Sequence, residues 1–190
     1  MNKVLSKYPI IAIVFFVSMI FLAHLLAIPD YSWTSNTVSE LAAQGYPLKW
    51  IMQIGFIGFG SLIVIGICSN IYNQNSDLWI DIPIGIYAMA IIVSGIFCTR
   101  PFMVDEPFSP SEAQIHSVGA SVAGFMFSIG ILVNGLKAKP KPTKLIHFVF
   151  LVFVIGMSAL FGMSSTYQGA FQKIMYLGSF VWLGKFYGKK

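Results

Sequence analysis

Ile10 to Ile28 reads Ile-Ile-Ala-Ile-Val-Phe-Phe-Val-Ser-Met-Ile-Phe-Leu-Ala-His-Leu-Leu-Ala-Ile, without one formal charge. About 20 mostly apolar residues in a helix cross the hydrocarbon of a bilayer. Lys3 and Lys7 precede the run, so a secretory signal has to be weighed. Such signals have an apolar core of about 7–15 residues and a small-x-small cleavage site. This run is longer, and its exit reads Ala27-Ile28-Pro29-Asp30. It reads as a retained span.

Five further blocks follow the same rule. The expected spans are roughly 8–29, 48–72, 80–98, 114–136, 145–164 and 172–187. The rest is loop and terminus, so the 190 residues form one transmembrane domain, 1–190. Composition agrees: 56% of residues are hydrophobic and 10% charged, where a soluble domain carries about 25% charged residues. Mean hydropathy is +0.76. These values exclude a soluble domain, a disordered tail and a nucleic-acid module. Strands of a β-barrel alternate apolar and polar residues, but Phe59 to Ile67 is continuously apolar or small. The expected fold is therefore an all-α membrane protein, a six-transmembrane-helix bundle.

Charge sets an expected orientation. With a cytoplasmic N-terminus, nine of the twelve Lys and Arg fall inside: Lys3, Lys7, Lys137, Lys139, Lys141, Lys144, Lys185, Lys189 and Lys190. Only Lys49, Arg100 and Lys173 fall outside. The positive-inside rule then places both termini in the cytoplasm and the chain in the plasma (cytoplasmic) membrane. The basic pI near 9.2 is a topology signal, the Lys-rich loop anchoring near anionic lipid. The expected partner is the lipid bilayer, not nucleic acid. Cys68 and Cys98 fall at opposite ends of their spans, roughly 20 Å or more apart in depth, too far for a disulfide. Both read as small buried residues.

Several helix ends are marked. Ser109-Pro110-Ser111-Glu112 combines an N-cap, a first-turn proline and a capping-box glutamate. Asp81, followed by Pro83, marks the start of the third span. Thr37-Val38-Ser39-Glu40 is a second capping box, and Gly45 a stop. They predict a short helix of about 38–44 on the outer surface, with Leu41, Ala42 and Ala43 against the bundle. Ser117, Ser121, Gly124, Ser128 and Gly135 form a small-residue stripe suited to close helix approach, with Gly55 and Gly58 doing the same in the second span.

Chemistry is sparser. His24 and His116 fall near the outer boundary, whereas His147, beside the Lys-rich loop, reads as interfacial. Intramembrane ionisable groups tend to face the bundle interior. The outer segments add Asp30, Ser39, Glu40, Arg100, Asp105, Glu106, Tyr167, Gln168 and Gln172. A His–carboxylate set here suits a metal or a general base, with His24 and His116 as candidate metal ligands and His24, His116 and Glu40 as candidate catalytic groups. No metal-binding spacing enforces this. The competing reading gives each His an interhelical hydrogen bond, gives Glu40 and Glu112 their capping roles, and pairs Arg100 with Asp105 or Glu106. No acidic residue falls at mid-membrane, which speaks against proton or sodium coupling. A transmembrane haem carrier needs a second His pair near the other face, where only His147 stands. No cofactor and no oligomeric state follow from the sequence.

The segment Ser35-Asn36-Thr37-Val38-Ser39-Glu40-Leu41-Ala42-Ala43-Gln44-Gly45 resembles the signature of a prokaryotic membrane family, domain of unknown function 998. Gly95-Ile96-Phe97, Arg100-Pro101-Phe102, Ser109-Pro110 and His116-Ser117 resemble the later family pattern. So does Gly169-Ala170-Phe171-Gln172-Lys173, where the family often shows Gly, Gln and Arg. Cys98-Thr99 departs from it, standing where a proline-threonine-aspartate-like turn is expected. The resemblance covers nearly the whole chain and implies about six spans. It marks Ser39, Glu40, His116 and Gln172 as motif residues, all on the outer side.

Three functions compete. The first is an outward-facing polar pocket, with Ser39, Glu40, Arg100, His116 and Gln172 as binding residues, for a lipid or small amphiphile. The second is an intramembrane metal-dependent hydrolase built on His24 and His116. The third is a structural bundle that binds a partner.

Overall fold

The structure, a computed structural model, describes residues 7–103 and 106–187. Six helices follow in order: α1 (Tyr8–Leu25), α2 (Lys49–Tyr72), α3 (Leu78–Ile96), α4 (Pro110–Lys137), α5 (Lys141–Met163) and α6 (Gln168–Lys185). A single 3₁₀ turn, Ser39–Ala42, interrupts the long α1–α2 connection. No strand occurs among the described residues. Helices α1 to α5 are long and apolar enough to cross a membrane. Helix α6 matches α1 in length, 18 residues each, but is less apolar.

Each helix packs on the next in sequence, and α6 returns to α1, closing a ring. The α1–α2 connection covers one end of that ring. Lys7, Lys137, Lys139, Lys141, Lys144 and Lys185 cluster at the other. Inside the ring, aromatic rings fill the centre. Phe16 lies 5.1 Å from Phe59, Tyr87 4.9 Å from Phe127, and Phe127 5.3 Å from Trp182. Outside, the pattern of a soluble protein is inverted. Leu145, Val149 and Val152 of α5 are exposed, as are Ile10, Val14 and Phe21 of α1. Bilayer contact accounts for such a surface, because lipid tails are as apolar as these side chains. Exposed Trp33, Trp50 and Tyr167 mark one end, and Tyr72 and Trp79 the other, as in the aromatic belts of membrane proteins.

Local chemistry explains the helix limits. Helix α1 stops at Leu25, short of the expected 29, as Pro29 ahead disfavours helix in the residue before it. Helix α3 starts at Leu78 with Asp77 as N-cap, so the expected start at Asp81 is corrected. Asp81 instead reaches back, accepting from the Asp77 N–H (3.0 Å) and the Ser76 hydroxyl (2.7 Å). Helix α4 begins at Pro110 with Ser109 as its cap, as expected. Helix α5 begins at Lys141, earlier than expected, because Pro142 suits a first turn whose N–H groups have no helical partner.

The small residues divide. On α4, the close approaches fall at Gly119, Gly130 and Gly135. A Cβ on these would stand 2.7 Å from Ser94 Oγ, 2.5 Å from Ile84 Cδ1 and 3.0 Å from His147 Cβ, respectively. Ser117, Ser121 and Gly124 of the expected stripe face outward, and a Cβ on Gly124 would meet nothing within 4 Å. Gly55 and Gly58 do admit α1, at Met19 and Phe15. Cys98 is buried, but Cys68 is exposed, correcting its expected burial; both thiols are free.

Candidate functional site

The α1–α2 connection forms a polar strap across one end of the ring. Its capping box closes as the sequence predicts: the Thr37 N–H donates to Glu40 Oε2 (2.6 Å), and the Glu40 N–H to Thr37 Oγ1 (3.1 Å). The helix it starts is a single 3₁₀ turn rather than the longer surface helix expected. It is sunk into the bundle, with Val38, Leu41, Ala42 and Ala43 at most 1% exposed. Gly45 ends the segment at φ +75°, a conformation that side chains with a Cβ rarely adopt.

The first stretch of the strap is fastened to α6. The Val38 N–H donates to Gln172 Oε1 at 2.6 Å, and the Ala170 N–H to the Thr34 carbonyl at 2.9 Å. Lys173 donates to the carbonyls of Trp33 (2.8 Å) and Asn36 (2.9 Å). Its ammonium also stands over the rings of Trp33 and Tyr31, 5.1 and 5.6 Å from their centroids. Such cation–π placement is attractive, more so when desolvated. The Tyr31 hydroxyl lies 3.3 Å from both Lys173 Nζ and His24 Nε2. Burial pushes the Tyr31 phenol above its usual range, and the charge of Glu40 adds to that, so it stays a proton donor. His24 Nδ1 lies 2.7 Å from the Ile20 carbonyl, which fixes the ring proton on Nδ1. Nε2 is then the acceptor facing Tyr31.

The second stretch is fastened to the α3–α4 connection. The side chain of Gln44 donates to the carbonyls of Cys98 (3.3 Å) and Ser109 (3.0 Å), and accepts from the Ser109 N–H at 2.7 Å. The Glu112 carboxylate accepts from the Cys98 N–H at 2.8 Å. His116, 4% exposed, directs Nδ1 at the carbonyls of Ser94 (2.8 Å) and Phe97 (2.9 Å), tying α3 to α4.

The expected site residues thus separate. His24, Glu40 and Gln172 join one network through the strap. His116 belongs to another, and the two His rings share no partner. Ser39 is half-buried on the 3₁₀ turn and Arg100 is exposed near the end of α3. Of the expected carboxylates, Asp105 lies outside the described residues, and Glu106 leans on Gly45. Among the described residues, no three His, Cys, Asp or Glu side chains group closely enough to hold a metal. Tyr31 and Gln44, which hold the strap, are not among the expected site residues, although Gln44 lies within the Ser35–Gly45 segment.

A groove of about 550 Å³ lies beside the second network, between the strap-side halves of α3 and α4. Met89, Val93 and Val118 line it, Gly119 forms part of its floor, and Ser111 and Gln114 stand at its strap end.

The profile of one family of proteins of unknown function, DUF998, matches residues 10–186. The chain belongs to the DUF998 family. The match takes in most of α1, all of α2 to α6 and both halves of the strap. No curated protein and no solved structure matches the chain.

Proposed function

We propose that this DUF998 protein spans the cytoplasmic membrane six times, with both termini in the cytoplasm, and binds a lipid or small amphiphile at the α3–α4 groove. One observation carries the binding: an apolar groove of about 550 Å³ on a lipid-facing surface, polar only at its strap end. Ligand sites commonly span about 300–1,000 Å³ and combine apolar walls with few polar groups. An acyl chain suits Met89, Val93 and Val118, and a head group suits Ser111 and Gln114. Arg100, exposed near this end, supplies a cation for an anionic head group. His116 acts as a positioning residue by holding the two walls together. Ser39, Glu40 and Gln172 shape the covered end. The nine-to-three division of Lys and Arg supports the orientation, which puts the groove in the outer leaflet.

Native mass spectrometry after mild solubilisation tests the binding. The expected result is a retained lipid, lost in the Met89→Trp, Val118→Trp double variant; both side chains are exposed, at 52% and 56%, so Trp there fills the groove without disturbing the core. Absence of any adduct, or an adduct unchanged in the double variant, overturns the groove as the site. A reporter fused after Lys190 tests the orientation independently, with cytoplasmic signal expected.

A further inference from the structure

A second polar site lies at the lysine-rich end, remote from the strap. His147 of α5 is 1% exposed, so the interfacial placement expected from its lysine neighbours is corrected. The Trp182 indole N–H of α6 donates to His147 Nδ1 at 2.9 Å. An indole nitrogen is a donor only, so Nδ1 carries no proton, and the neutral ring has its proton on Nε2. That Nε2–H is fully buried and meets no protein partner among the described residues. The amide nitrogen of Asn134 on α4, 2% exposed, is a second buried donor without a partner. The two stand at one level. A Cβ on Gly135 would lie 3.0 Å from His147 Cβ, and Asn134 is displaced from Gly135 by only about 1.5 Å along the helix.

Among the described residues, every other buried side-chain nitrogen or oxygen has a partner. Asp81 accepts from the Tyr187 hydroxyl at 2.5 Å, and Asp77 pairs with Lys137 at 2.7 Å. Two unpartnered buried donors on adjoining helices are therefore the exception. Buried donors are almost always paired, with protein or with a bound oxygen, and in a membrane interior the requirement is stricter. We infer that His147 Nε2–H and Asn134 Nδ2–H together bind one oxygen acceptor between α4 and α5. This goes beyond the groove and does not depend on it. A trapped water and an ester or phosphate oxygen of an inner-leaflet lipid share that chemistry.

Solid-state NMR of ¹⁵N-histidine-labelled protein in bilayers distinguishes them, because the chain has only three His. His147→Gln identifies its resonances. A neutral Nε2–H ring with magnetisation transfer from water supports the water. Transfer from lipid head-group protons or phosphorus supports the lipid oxygen. In Asn134→Leu that transfer should fall at least severalfold while the His147 tautomer is unchanged. No transfer from either source, a proton on Nδ1, or transfer untouched in Asn134→Leu overturns the shared site. Once His147→Gln has identified the resonances, the wild-type spectra decide the first two outcomes whether or not Asn134→Leu folds.

Discussion

The Glu112 carboxylate accepts the backbone N–H of Cys98 at 2.8 Å, across the α3–α4 connection. A capping-box glutamate ordinarily bonds the N–H of its own N-cap residue. Here that position, the Ser109 N–H, is taken by Gln44 of the strap at 2.7 Å. Ser109 still caps α4, accepting from the Glu112 N–H at 3.4 Å. The exchange frees Glu112 to satisfy a buried backbone donor and ties three chain segments into one unit.

Glu112→Ala should therefore destabilise the protein more than loss of one surface cap. It leaves the Cys98 N–H buried and unpaired, a cost of about 1–3 kcal/mol. Glu112→Gln keeps an acceptor oxygen and should recover most of that loss. Thermal unfolding in a single detergent, comparing the two variants, checks the order. Equal midpoints would show that the Cys98 contact contributes nothing.

Lys173 predicts how the strap opens. Its ammonium bridges the Trp33 and Asn36 carbonyls, and Gln172 holds Val38 beside it. Lys173→Met removes the donor while keeping the aliphatic stem. Limited chymotrypsin digestion should then cut after Tyr31 or Trp33 several times faster than in wild type. Lys173→Arg restores donors and cation–π contact and should stay closer to wild type. Cleavage unchanged in Lys173→Met would mean that Gln172 and Ala170 hold the strap without it.

The five long apolar helices were legible because continuous apolar runs leave few alternatives, and the Thr37–Glu40 box because its partners lie three residues apart. What sequence hid is distant pairing. The same local pattern at Ser109–Glu112 closes differently because Gln44 arrives from another segment. His147 was misread for a related reason. With α5 starting at Lys141, His147 stands nearly two turns inside the helix, facing Trp182 rather than the lysines. The strap residues were recognisable as a motif, but their work as fasteners appears only when α6 is brought beside them.

Gly169 and Gly124 should respond oppositely to the same substitution. A Cβ on Gly169 would stand 2.0 Å from the Asn36 carbonyl oxygen, part of the strap backbone. Gly169→Ala must push the strap off α6, and overpacking of this kind costs about 1–3 kcal/mol. Gly124 faces open space, and alanine there gains at most about 1 kcal/mol of helix propensity. Unfolding midpoints of the two variants test the contrast, with Gly169→Ala below wild type and Gly124→Ala at or slightly above it. A Gly169→Ala midpoint at the wild-type value would refute the close strap contact.

Cys98 gives the strap a pH-dependent reporter. Burial pushes its thiol above the usual range, the Glu112 carboxylate raises it further, and Lys49 opposes them. Since the thiolate is the reactive form, a raised pKa means less thiolate at neutral pH, so reaction is slow there and accelerates as pH rises. Its 2% exposure slows the reagent in the same direction. In Cys68→Ser protein, maleimide labelling of Cys98 should be slow at pH 7 and climb with pH beyond the rise of a free-thiol control. Gln44→Ala, which releases the strap from Cys98 and Ser109, should raise the rate at every pH by improving access. If labelling at pH 7 matches the free thiol in the unmodified strap, Cys98 is not enclosed by Gln44, by Glu112 and by Gln53, whose side-chain amide donates to its Sγ at 3.4 Å.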